Sequence, residues 1–187
     1  MERRVVKTGI EVLLGERPSR LRGERIALIA NPASVDSRLR HSVDLLYARK
    51  DLQLAVILGP EHGTRGEAQD QVEMGHSTDE ATGLPVYSLY GESLIPTPEM
   101  IRAVDTLVFD LQDIGSRYYT YIYTMAYAMQ AAARDGKRMV VLDRPNPISG
   151  VAVQGNVLDR RYSSFVGLYP LAVRHGMTPG ELALLMN

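Results

Sequence analysis

The sequence has no cysteine, which excludes disulfides, zinc–thiolate sites and thiol nucleophiles together, although such an absence fits any redox compartment. It has almost no net charge. Its 21 Lys and Arg stand against 22 Asp and Glu, leaving −1 and no global field to hold a polyanion. Nucleic acid and anionic membrane are therefore not expected as partners. Unbroken apolar runs stop at five residues, as at 26–30 and 54–58, far short of the ~20 that a membrane helix needs. Residues 1–4 (MERR) do not lead into a signal-type apolar stretch. The chain as read is expected in the cytoplasm, or outside it if an N-terminal signal has been removed.

Signatures of common chemistries are missing too. There is no G-x-G-x-x-G, no G-x-x-x-x-G-K-[ST], no G-x-S-x-G and no H-E-x-x-H, and only four His are present. Dinucleotide, ATP, serine-hydrolase and zinc-protease readings lose their sequence basis, and neither a cofactor nor a metal is assigned. What remains is 187 residues with 45% hydrophobic and 23% charged content, enough for about one domain with its own core.

Four short, β-branched apolar segments read as strands buried on both faces: residues 25–30, 53–58, 106–109 and 138–142. Helical periods lie between them. Leu39, Val43 and Leu46 fall at i, i+4, i+7, and Tyr118, Ile122, Met125 and Met129 trace a stripe along a helix over 117–134. Thr97 followed by Pro98 opens a short helix. Strands alternating with helices predict an α/β fold, a doubly wound, mainly parallel, Rossmann-like sheet with helices on both faces. Residues 63–83 show no period and read as a long loop of the functional kind. The TPGE segment at 178–181 is a capping box opening a Leu-rich helix at the chain's end, expected to dock on this domain or against a domain outside the sequence.

In open α/β sheets, ligands bind beyond the carboxyl ends of the strands. Each predicted strand delivers polar residues there: Asn31 after the first, Glu61 and His62 after the second, Asp110, Gln112 and Asp113 after the third, Asp143, Arg144 and Asn146 after the fourth. Asp, Asn and Pro are ordinary turn formers, so one such ending means little; four together predict a site. Glu61 lies between Pro60 and Gly63, a stiff setting that suits a general acid or base, whose geometry must be right before its pKa matters. His62 should point away from it, as a structural or a catalytic residue. Asp113 and Arg117 also fit the ordinary roles of cap and ion-pair partner. Five Tyr crowd 118–127; most should pack on the sheet, while Tyr118 or Tyr119 near the helix start is placed to line a sugar-sized pocket.

Taken together, NPASVD at 31–36, GPEHGTRG at 59–66, FDLQDIGSRYYTY at 109–121 and LDRPNP at 142–147, with QGN at 154–156, FVG at 165–167 and RHGMT at 174–178, resemble the bacterial family DUF1343 from about Gly9 onward. The resemblance implies an exo-β-N-acetylmuramidase of peptidoglycan recycling, acting on a peptidoglycan-derived saccharide or muropeptide. It implies that residues 1–187 are a Rossmann-like N-terminal catalytic domain whose C-terminal partner domain lies outside the sequence, and that Glu61 is the acid/base. A glycosidase also needs a second carboxylate, or the substrate's acetamido group, for the oxocarbenium-like charge; Asp110, Asp113 and Asp143 compete for that role. The lactyl carboxylate requires a cation, with Arg65, Arg117, Arg144 and Arg174 as candidates. Two rival readings place Mg²⁺ among the three Asp, or make the chain a non-catalytic sugar-binding module.

Overall fold

The computed structural model describes residues 6–60, 64, 65, 77–91 and 93–187. In chain order the elements are α1 (Gly9–Gly15), β1 (Arg25–Ala30), α2 (Ser42–Tyr47), β2 (Gln53–Gly59), β3 (Ser77–Thr78) and β4 (Pro85–Ser88). There follow α3 (Pro98–Ile101), β5 (Thr106–Asp110), α4 (Tyr121–Arg134), β6 (Arg138–Val141), β7 (Gln154–Val157), β8 (Ala172–Arg174) and α5 (Pro179–Met186).

The main sheet runs β3-β4-β2-β1-β5-β6, and only the β3/β4 pair is antiparallel. All four segments read as strands are parallel members of it, in the order β2-β1-β5-β6. The alternation within β1 separates two cores. Ile26, Leu28 and Ala30 join α1 and α2 on one face, while Ala27 and Ile29 join α3, α4 and α5 on the other. In β2 the register slips opposite Ile26 and Ala27, so Ala55 and Val56 both face the α4 side before alternation resumes at Ile57. Each large side chain buried in this way contributes ~1.5–3 kcal/mol.

Three expectations need correction. Leu39 is not part of α2: it is exposed at φ 60°, in a tight turn in which Asp36 Oδ1 accepts from the N–H groups of Arg38 and Arg40. The Tyr-rich helix starts at Tyr121 rather than 117, because Arg117 N–H donates to Val173 O and Ser116 bridges Arg174, which draws the preceding turn onto β8. The stretch read as loop over 63–83 contains β3 and is followed by the unforeseen strand β4.

The chain steps from β1 out to β2 and β4, then crosses back to β5 and β6, so its direction reverses between β1 and β5. Ligand crevices of such sheets open at that point. The pairings place Leu58, Ile29 and Phe109 in one row just inside the carboxyl edge, with Ala30 beside Asp110 at the edge itself. Because β1 lies between them, the ends of β2 and β5 are about 10 Å apart, two interstrand spacings.

Candidate functional site

At the reversal point the crevice is filled by the protein's own polar atoms. Asp110 is fully buried; its Oδ1 accepts from Arg144 Nε at 2.7 Å and its Oδ2 from Ser42 Oγ at 2.5 Å. Ser34 Oγ donates to Asp110 O, and Arg144, itself buried, reaches Val35 O at 3.0 Å. Asn31 belongs to the same knot, for its Oδ1 accepts from Ala33 N at 3.0 Å and its carbonyl takes His41 Nε2 at 2.9 Å. Asn31, Asp110 and Arg144 thus meet as expected at one edge, but as a lock that ties the 31–42 loop to β5 and β6. The charge of Arg144 is matched by Asp110.

A second polar cluster lies beyond β5, against β8. Asp113, Arg117, Tyr123 and His175 are all buried there. Asp113 Oδ2 accepts from Gly115 N at 2.7 Å and lies 3.2 Å from His175 Nε2. Gly115 is required at that turn: its φ is 82°, and a Cβ would stand 2.5 Å from Asn146 Oδ1. Arg117 crosses to the β7/β8 side, donating through Nη1 to the carbonyls of Asn156 and Leu171, both at 2.7 Å, and stacks over Tyr118 at 5.0 Å. Tyr123 donates to Arg117 O at 2.7 Å, and burial pushes its phenol up to about 12, so it stays a neutral donor. Arg174 donates to Gln154 Oε1 at 3.2 Å and to Ile148 O. Arg117 and Arg174 therefore sit on neighbouring segments and, among the described residues, bond only neutral acceptors. Tyr119 packs edge-on against Tyr121 at 4.6 Å, at the base of α4.

The remaining candidates are spread around these clusters. Arg65 is held by two carboxylates, at 2.7 Å from Asp44 Oδ1 and 2.5 Å from Asp79 Oδ1, which raises its own pKa. Burial alone would raise Asp79, but Arg65 and Thr82 outweigh it and leave the carboxyl below its usual range. Gln112 donates to Pro145 O at 3.1 Å and Asn146 Nδ2 to Met177 O at 3.0 Å; both staple the strand-end loops. Asp143 caps α5, accepting from Gly180 N at 2.8 Å and Thr178 Oγ1 at 2.9 Å. Glu61 and His62 lie outside the described residues; the chain leading to them, Gly59 and Pro60, leaves β2 at the carboxyl edge.

Asp110, Asp113 and Asp143 face three different sets of partners. Among the described residues no group of three His, Asp or Glu is gathered to hold a metal ion, so the Mg²⁺ grouping does not form. Sequence reasoning passed over His175, Tyr123 and the two serines on Asp110. His175 had a signal, since it sits inside the RHGMT motif at 174–178; Ser34 and Ser42 had none beyond the turn chemistry of their loop.

The sequence profile described as exo-β-N-acetylmuramidase NamZ, N-terminal, matches residues 26–187. The chain is 56% identical, over 182 residues, to the peptidoglycan β-N-acetylmuramidase NamZ of Bacillus subtilis (strain 168). That match covers 97% of this chain and 44% of the relative. Two crystal structures of DUF1343 family proteins from Bacteroides fragilis NCTC 9343 superpose with TM-scores of 0.90 and 0.81, at 48% and 36% identity. They cover 97% and 96% of this chain, and the matches span 45% and 46% of theirs. The chain therefore spans less than half the length of the relatives it matches.

Proposed function

We propose, because the chain belongs to the family of NamZ N-terminal domains, that it is the N-terminal half of a glycosidase that releases N-acetylmuramic acid from the non-reducing ends of peptidoglycan fragments. The observation that carries this reading is the 56% identity to a peptidoglycan β-N-acetylmuramidase over 97% of the chain. A second domain, in the remainder of the full-length protein, closes the cleft over the carboxyl edge.

Glu61 is the acid/base residue in this reading. It follows Gly59 and Pro60, where the chain leaves β2 at the carboxyl edge; the ends of β2 and β5 are about 10 Å apart by strand spacing. Paired carboxyl groups in glycosidases stand ~5–9.5 Å apart, the same scale as that strand-end spacing. Asp113 is the second carboxylate. Arg117 and Arg174 are the cations best suited to the lactyl carboxylate, since Arg65 and Arg144 are already neutralised by Asp partners.

The test uses a full-length protein carrying this domain, with chromogenic β-linked N-acetylmuramic acid and its glucosamine counterpart as substrates. Turnover of the muramic acid compound is expected. Glu61→Gln should lower it by ~10²–10⁴, the usual contribution of general acid–base catalysis, with unfolding behaviour unchanged. Near-normal turnover by that variant removes Glu61 from the role, and binding without cleavage by the unaltered protein favours a sugar-binding module.

A further inference from the structure

The cluster beyond β5 contains three buried polar atoms without a hydrogen-bond partner among the described residues, Asp113 Oδ1, His175 Nε2 and Arg117 Nε, and the neighbouring Arg174 Nε is a fourth beside it. Unmet buried groups weaken a fold, so three in one cluster, beside a strand end that faces the ligand edge, call for an explanation.

The imidazole is oriented from the far side. Met177 N–H donates to His175 Nδ1 at 3.2 Å, which places the proton of the neutral ring on Nε2. Nε2 in turn lies 3.2 Å from Asp113 Oδ2, the same oxygen that takes Gly115 N–H at 2.7 Å. That oxygen thus takes one hydrogen bond, from Gly115, and has the imidazole beside it without a bond of good alignment, while Oδ1 stays uncommitted. The other two candidate carboxylates have no such oxygen. Asp110 is occupied by Arg144 and Ser42, and Asp143 by Thr178, Gly180 and the Arg144 N–H.

We propose that His175 is a positioning residue of the glycosidase, acting through Asp113. Packed 3.2 Å from Oδ2, it fixes the side on which the carboxylate is met by protein and leaves Oδ1 as the acceptor for a sugar hydroxyl, an amide N–H or a water at the site, the Nε2–Oδ2 contact tightening to a hydrogen bond when the site is filled. This rests on the function proposed above. Outer partners that orient a reacting ligand in this way usually change activity by ~10–100-fold when removed.

The experiment compares His175→Phe, which keeps a ring without a donor, with His175→Gln, whose amide N–H can reach towards Asp113. Both are made in the full-length enzyme, alone and with Asp113→Asn, and kcat, KM and thermal unfolding are measured. His175→Phe should lower kcat by ~10–100-fold with KM little changed, and His175→Gln should recover most of that loss. In the Asp113→Asn background, His175→Phe should add little, since the two act as one unit. Unchanged kcat in His175→Phe, or equal losses in both His175 variants that follow their unfolding temperatures, or additive effects with Asp113→Asn, would each overturn the proposal. An unaltered enzyme that cleaves nothing sinks the functional reading itself, whereas an active enzyme indifferent to His175 sinks only this inference.

Discussion

Asp110 ends β5 at the place where a catalytic carboxylate would be sought, and both its oxygens are already occupied, by Arg144 and by Ser42. The pair is sealed, with Asp110 at 0% and Arg144 at 4% exposure. Removing one member of a buried pair strands the other charge away from water, at a cost of ~3–5 kcal/mol. Asp110→Asn in the 187-residue chain is therefore expected to lower the unfolding free energy by about that amount in urea titrations. A loss below ~1 kcal/mol, the range of exposed ion pairs, would show that the knot is not the lock described. Its sequence context revealed the position of Asp110 but not its partners. Ser34, Ser42 and Arg144 come from segments brought together only by the sheet, and a strand-end Asp looks the same whether it faces a substrate or an arginine. Asp113 and His175 illustrate the same limit, because their meeting depends on the turn at Gly115 and on β8 lying beside it.

Elements were legible where a single physical signal dominated. β1 from Ile26 to Ala30 and β5 from Leu107 to Phe109 are unbroken apolar runs because both their faces are covered, and no helix period competes with that pattern. β4 has only four half-buried residues and begins with Pro85, while β7 is exposed throughout, so neither carries a burial pattern to read. α5 was legible from its capping box, yet its docking was not. Thr178 accepts from Glu181 N at 3.2 Å and Glu181 from Thr178 N at 2.9 Å, as the sequence predicts, while Asp143, 35 residues earlier, adds an acceptor for the Thr178 hydroxyl. With Gly180 N donating to Asp143 at 2.8 Å, the first turn of α5 is fastened to the end of β6. Asp143→Ala should then lower stability by ~0.5–2 kcal/mol, the usual range for a lost N-cap. The loss should appear first as faster amide exchange in 179–186, and unchanged exchange there would assign α5's attachment to Leu182 and its apolar neighbours alone.

At the scale of the whole molecule, the two cores are complete on both faces of the sheet, and α5 is half-covered: Leu182 is buried, while Leu184 and Leu185 are 81% and 61% exposed. Among the described residues no helix is long and apolar enough to cross a membrane. The carboxyl edge carries Pro60, which leads to Glu61, on one side and the buried Asp113–His175 pair on the other. A glycosidase must hold its sugar in one orientation and keep bulk water from the developing charge, which in the function proposed above is shared with a second domain. The B. subtilis relative, of which this chain matches 44%, offers a direct comparison. Its full-length form is expected to cleave terminal β-linked N-acetylmuramic acid. The same protein cut to the matched residues, and the present 187-residue chain, should both fold and show little or no turnover at equal concentration. Comparable turnover by either short chain would mean that the sugar is bound wholly within the N-terminal half, and the cleft would then have to be sought inside the β5–β8 cluster rather than above the sheet edge.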